Sequence, residues 1–164
     1  MPTYCRPFCR QGDEPDHVQS ATVPRLVDSA QAALQTIFAG AHHPAQSQVI
    51  ALLLDPDYIG HTVLVVDDTT SPDAVVEVME LIAEAAAEAG REQVFVLASM
   101  RPDGGPLPGD VDRWIELSDL ADTHGCELVE WFVITDRVAW CPRDFLLEPP
   151  RWPETTETAP HPSR

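Results

Sequence analysis

The chain is 164 residues long and carries 27 acidic against 10 basic side chains, a formal charge of −17. Every basic residue is Arg and the chain has no Lys, so Schiff-base and P-loop lysine chemistry is excluded, and a surface this acidic repels nucleic-acid phosphates and anionic membranes. With 44% hydrophobic residues it can bury a core, and the length suits one domain.

Residues 1–20 are polar with Pro and Gly and read as a flexible leader. No apolar signal core is visible, and no run approaches the ~18–20 apolar residues of a membrane span, which predicts a cytoplasmic protein with reduced thiols. Cys5, Cys9 and His17 are the local group with metal-ligand chemistry. A structural zinc site takes about four ligands, so free thiols are expected there. Val23, Leu26, Val27, Ala30, Leu34, Ile37 and Phe38 then recur at helical spacing up to Gly40, predicting a helix capped by Thr22 with Pro24 in its first turn. Val49–Leu54 is continuously apolar and reads as a strand buried on both faces, turned by Asp55-Pro56-Asp57 into a neighbour at His61–Val66.

Ser71-Pro72-Asp73 opens a second helix that runs to about Glu88 and is closed by Gly90. Val75, Val76, Met79, Ile82, Ala83 and Ala86 form its inward stripe, and Asp73, Glu77, Glu80, Glu84 and Glu88 a solvated face. Gln93–Ala98 is a third strand, followed by a Pro- and Gly-rich loop from Ser99 to Gly109. A third helix from Asp110 turns Trp114, Leu117, Leu120 and Ala121 inward and stops at His124-Gly125. Cys126–Ile134 is a fourth strand with apolar residues on both faces, where strict alternation puts Glu127 and Glu130 on opposite faces. Thr135-Asp136 returns it as Arg137–Cys141. Residues 149–164 are rich in Pro and Thr and read as a disordered tail. The alternation of strands and helices predicts an α/β domain over residues 21–148, with a mixed sheet flanked by helices. Trp114, Trp131, Trp140 and Phe132 form either an exposed aromatic patch for a partner or part of the core, with the core favoured because aromatics at strand positions are normally packed, and Cys126 and Cys141 read as inert positions within apolar strands.

In open α/β sheets ligands sit beyond the carboxyl ends of the strands, which makes the loop after Ala98 the natural site. Its ionisable residues are Arg101, Asp103, Asp110 and Asp112. Asp110 and Asp112 read as cap and first-turn acids of the third helix, since no further oxygen-ligand spacing accompanies them. His42, His43, His61 and His124 show no ligand spacing and are assigned to loops and caps.

The stretch Leu97–Asp112 resembles the RadC-like branch of the JAB/MPN (JAMM) metalloprotease domains, whose signature is H-x-H-P-S-G-x-P-x-P-S-x-x-D after an apolar strand. Pro102, Gly104, Pro106, Pro108 and Asp112 match that frame without gaps. Leu52-Leu53-Leu54-Asp55 and the strand Cys126–Ile134 followed by Thr135-Asp136 are similar to further family segments, so the likeness spans roughly residues 45–147. The resemblance implies a JAB/MPN (cytidine-deaminase-like) fold, three-layered about its sheet, and a zinc held by two His and an Asp. The zinc-binding His positions fall on Ser99 and Arg101, the motif Ser on Gly109, and the family's catalytic Glu near Ser47. One carboxylate, Asp112, beside a cationic Arg101 cannot supply the roughly three protein ligands of a hydrolytic zinc. The expectation is therefore that zinc binding is lost, that Arg101 pairs with Asp112 or Asp103, and that no other cofactor replaces the metal. The function expected is a catalytically inactive interaction or scaffolding module with a protein partner, with no nucleic acid or membrane. The alternative is a hydrolase with a rearranged site.

Overall fold

The computed structural model describes residues 19–21 and 25–154. The elements are β1 (Gln19–Ala21), β2 (Arg25–Leu26), α1 (Ala30–Gly40), β3 (Gln48–Leu54), β4 (Ile59–Asp67), α2 (Ala74–Glu88), β5 (Val94–Met100), α3 (Asp110–Thr123), β6 (Glu127–Ile134), β7 (Ala139–Trp140) and a 3-10 turn at Pro142–Leu146. The strands form one mixed sheet in the order β1-β4-β3-β5-β6-β7, and β2 also pairs with β4. β3 runs antiparallel to both β4 and β5, while β5 and β6 are parallel. A parallel pair cannot be closed by a tight hairpin, and α3 makes that crossover.

Both faces of the sheet are covered. On one, Ala33 and Ile37 of α1 pack over Ile50, Leu52, Val96 and Phe132. On the other, α2 and α3 pack over Val49, Ala51, Phe95, Leu97 and Trp131. Burial from two sides explains why β3 and β5 read as unbroken apolar runs. Trp114 and Trp131 are fully buried and Phe132 nearly so. The acidic row on α2 is exposed throughout.

The first helix is shorter than its periodicity predicts. Arg25 and Leu26 pair with Gly60 and Ile59 as β2, and Val27 N–H donates to the Tyr58 carbonyl at 2.8 Å. Leu26 is 50% exposed and Val27 1%, which is strand alternation rather than a helical stripe. Helix α1 starts three residues later, with Ser29 Oγ accepting from Ala32 N–H at 3.3 Å; Thr22 and Pro24, assigned to its start, lie outside the described residues. At α2 the Ser71 hydroxyl accepts from Asp73 N–H at 3.2 Å, while Asp73 holds the cap position.

β6 departs from strict alternation. Val94 pairs with Glu127 and Val96 with Glu130, so Val129 is an extra residue opposite the 95–96 link. Such a bulge reverses the facing of everything after it. Glu127 and Glu130 therefore share the α1 face, correcting the opposite-face expectation. Glu130, with no exposed surface, is met by Arg143, whose Nη2 donates to Oε2 at 2.8 Å and whose Nε donates to both oxygens at 3.1 and 3.3 Å.

Residues 149–154, expected as the beginning of a disordered tail, are seated on the domain. Arg151 Nη1 donates to the Leu128 carbonyl at 3.1 Å and its guanidinium lies 4.6 Å from the Trp114 ring centroid. The leader 1–18, with Cys5, Cys9 and His17, and the stretch 155–164 lie outside the described residues. Among the described residues no helix is long and apolar enough to cross a membrane.

Candidate functional site

A cleft of about 240 Å³ opens where β3 begins and where β4 and β5 end. Ser47, Gln48, Thr69, Ser71, Ser99, Arg101 and Asp103 contribute to its lining. Helices α2 and α3 both start at this end of the sheet, so the loop after β5 does form a site wall at the carboxyl end of a strand.

Arg101 follows β5 directly, and its backbone N–H donates to the Ile134 carbonyl at 2.7 Å. Its guanidinium turns to Asp110, with Nη1 and Nη2 donating to the two carboxylate oxygens at 2.8 and 3.0 Å. The two side chains are 13% and 5% exposed, so this is a largely desolvated bidentate pair. The loop itself is closed by Leu107 N–H donating to Asp110 Oδ2 at 2.7 Å and by Gly104 N–H donating to the Arg101 carbonyl at 3.1 Å. Arg113 extends the network, donating through Nη1 to Asp110 at 3.3 Å and through Nε to Asp73 at 2.7 Å. Four side chains of alternating charge thus lock the end of β5 to the starts of α3 and α2, and their charges cancel.

The expected partners of Arg101 were Asp112 or Asp103, and the structure corrects both. Asp112 is exposed on the outer face of α3, grouped with Ile115, Glu116 and Asp119. Asp103 is an exposed loop residue at the cleft. Asp110 wins because the first helical turn aims it back over the loop, where it accepts a backbone N–H as well as the guanidinium. Gly109 has φ +89° and a Cβ there would meet Arg113 Nη1 at 3.3 Å. This position serves the turn into α3, and a side chain on it would be strained.

Ser99 is buried at the cleft wall, and its Oγ accepts from Trp131 Nε1 at 3.1 Å. Ser47 is half-buried in the cleft wall, and its carbonyl accepts from Thr69 N–H at 3.3 Å. Pro102, Gly104, Pro106 and Pro108 all lie on the loop, but Pro106 and Pro108 face a second groove on its far side.

The zinc ligand set that the resemblance implies does not fit these residues. One His position is a hydroxyl engaged by an indole, the other is a cation already neutralised, and the carboxylate points to solvent from another face. Among the described residues no group of three or more His, Cys, Asp or Glu side chains is placed to hold a metal ion. His42 Nε2 instead lies 3.2 Å from Asp67, His43 Nε2 3.4 Å from the Phe38 carbonyl, and His124 Nδ1 2.9 Å from the Leu120 carbonyl at the end of α3. His61 is half-buried on β4.

Four polar residues gain roles that their sequence positions do not show: Asp110 is a partner of Arg101 as well as a first-turn acid, Arg113 joins it to Asp73, and Gln48 heads the buried strand β3. Gln48 is fully buried beside the cleft, and neither amide atom has a partner among the described residues. Its polar type at the head of a buried strand was the available signal.

Burial sets the pKa direction of both thiols, Glu130 and Tyr58. It pushes the Cys141 thiol up to about 12, reinforced by the nearby Glu130 and Asp144 carboxylates, and it also raises Cys126. Both thiols are therefore poor nucleophiles. Burial raises the Glu130 carboxyl despite the opposing pull of Arg143. Tyr58 rises to about 12 through burial and its hydroxyl bond to Glu127 Oε1 at 3.0 Å.

No protein-family model matches the chain, and no curated protein matches it.

Proposed function

We propose that this chain is a RadC-like JAB/MPN-type domain that has given up its metal chemistry and works as a non-catalytic protein-interaction or scaffolding module in a reducing cytoplasm. The observation that carries the reading is the bidentate Arg101–Asp110 pair. It puts a guanidinium, a donor group with no lone pair for a metal, at the place of a zinc-binding His, and it engages both oxygens of the neighbouring carboxylate. Support also comes from the frame Pro102, Gly104, Pro106 and Pro108, which shapes a loop between β5 and α3. The mixed sheet with helices on both faces suits a JAB/MPN-type fold. The site keeps the scaffold of a hydrolase without the donors that would activate water.

The test is peptidase and isopeptidase turnover by the purified full chain, with and without chelator, beside an Asp112→Ala control. The expected result is no chelator-sensitive turnover and no difference between the two proteins. Chelator-sensitive turnover that disappears in Asp112→Ala overturns the reading and supports the rearranged hydrolase.

A further inference from the structure

Across the loop from the cleft, Pro106, Leu107, Pro108, Trp140, Pro142 and Phe145 line an apolar groove of about 230 Å³. Phe145 is 66% exposed, and Leu147, which caps the same 3-10 turn, is 91% exposed. With Leu107, Val138 and Leu146 they make up five of the nine large apolar side chains exposed among the described residues. Leu146 and Leu147 follow Phe145 in the chain, and Val138 precedes Trp140 by two residues. Leu147 also holds φ 56°, a left-handed conformation that Gly or Asn adopts at less cost. Backbone strain and exposure both disfavour Leu at this position, whereas burial against a partner favours it.

We propose that a second copy of this chain covers the patch across a two-fold axis, with Phe145 and Leu147 of each copy packed against the groove of the other. Charge selects that occupant. A chain of formal charge −17 is repelled by its own copy wherever acids stand uncompensated. Residues 104–109 and 138–142, which carry the groove, include no Asp, Glu or Arg. Asp110, Asp136, Asp144 and Glu148, the acids that adjoin the patch in sequence, each face an arginine, at 2.8, 3.5, 3.1 and 3.1 Å. Leu81 of α2 and Ile115 of α3 are exposed without that neutrality. Leu81 stands among Glu77, Glu80 and Glu84, and Ile115 among Asp112, Glu116 and Asp119. Shape agrees with charge, since a two-fold contact must be self-complementary and this patch holds a groove and projecting side chains together. The contact lies on the far side of the loop from the cleft, so it forms whether or not the cleft holds a metal.

The test is sedimentation velocity of the full chain under reducing conditions, in about 0.3 M sodium chloride to screen the repulsion between copies. A dimer that dissociates on dilution is expected. Each residue counts twice in a two-fold contact, so Phe145→Asp and, separately, Leu147→Asp are each expected to weaken the dimer by more than ~100-fold. Both side chains are exposed, so neither substitution disturbs the core. Ile115→Asp, on the outer face of α3, is expected to leave the dimer intact. A monomer at every concentration up to about 1 mM overturns the proposal. A dimer that survives either substitution at the patch, or that Ile115→Asp dissolves, is built on another face and overturns it equally.

Discussion

Arg101 brings its charge to a nearly dry strand end, and Asp110 neutralises it there with two hydrogen bonds at 2.8 and 3.0 Å. Removing one member of a buried pair leaves the other charge uncompensated, at a cost of about 3 kcal/mol. For a chain of this size Asp110→Ala is expected to lower Tm by about 6–12 °C. Asp112→Ala touches an exposed side chain and is expected to change stability by less than about 0.5 kcal/mol. Differential scanning calorimetry of the two variants checks the contrast. Equal losses would mean that Asp112 contributes as much as Asp110 and would contradict the contrast. The frame of this site was legible in the sequence because the Pro and Gly spacing fixes the shape of the loop. The partner of Arg101 was not legible. Three aspartates lie within reach in the sequence, and only the direction in which the first turn of α3 points them selects Asp110.

The half-buried Cys141 thiol and Tyr58 hydroxyl make stability depend on pH. A group whose folded pKa is raised favours the protonated folded state. Cys141, at about 12 when folded and ~8.5 when unfolded, therefore contributes stability that is full below pH ~8.5 and fades as the pH climbs toward its folded value. Tyr58, also at about 12 when folded, adds a contribution lost between ~10 and that value. The urea midpoint is expected to fall between pH 8 and pH 10.5, and to fall less in Cys141→Ser. A drop of the same size in that variant would remove Cys141 from the account. In a Cys5→Ser/Cys9→Ser background, a thiol reagent at pH 8 is expected to label the folded chain at neither Cys126 nor Cys141 and to label both after denaturation.

At the scale of elements, β6 decides how the carboxyl-terminal part packs. Its bulge at Val129 turns Glu130 onto the α1 face, where Arg143 reaches it. The helices and inner strands were readable because burial on one stripe or on both faces leaves a regular pattern. A bulge leaves none, since the same residues fit an unbroken strand. β2 escaped because it is only two residues long, and Leu26 and Val27 fit a helical period with the apolar residues that follow. Past the 3-10 turn, Arg151 covers the outer edge of β6 by bonding the Leu128 carbonyl and stacking over Trp114. That contact blunts an edge that would otherwise be open to pairing. Arg151→Ala loses a hydrogen bond and a cation–π contact, about 1–2 kcal/mol together. Hydrogen exchange is expected to quicken in β6, with α1 unchanged; uniform quickening would mean a global effect instead.

For the whole molecule, 27 acidic side chains against 10 basic ones set the balance. Several arginines are committed to internal pairs, Arg101 and Arg113 with Asp110 and Arg143 with Glu130, so the remaining acids repel one another across the surface. Salt screens such repulsion over about 10 Å at 0.1 M. Tm is therefore expected to rise between low salt and 0.3 M sodium chloride; a fall would mean that exposed ion pairs outweigh the repulsion.

Whether the cleft holds a metal separates an inactive module from a hydrolase. Zinc content of the Cys5→Ser/Cys9→Ser chain, incubated with zinc, dialysed and measured by inductively coupled plasma mass spectrometry, tests this without contribution from the leader cysteines. Substoichiometric zinc, unchanged by Asp112→Ala, is the result predicted. One zinc per chain, lost in Asp112→Ala, would contradict it.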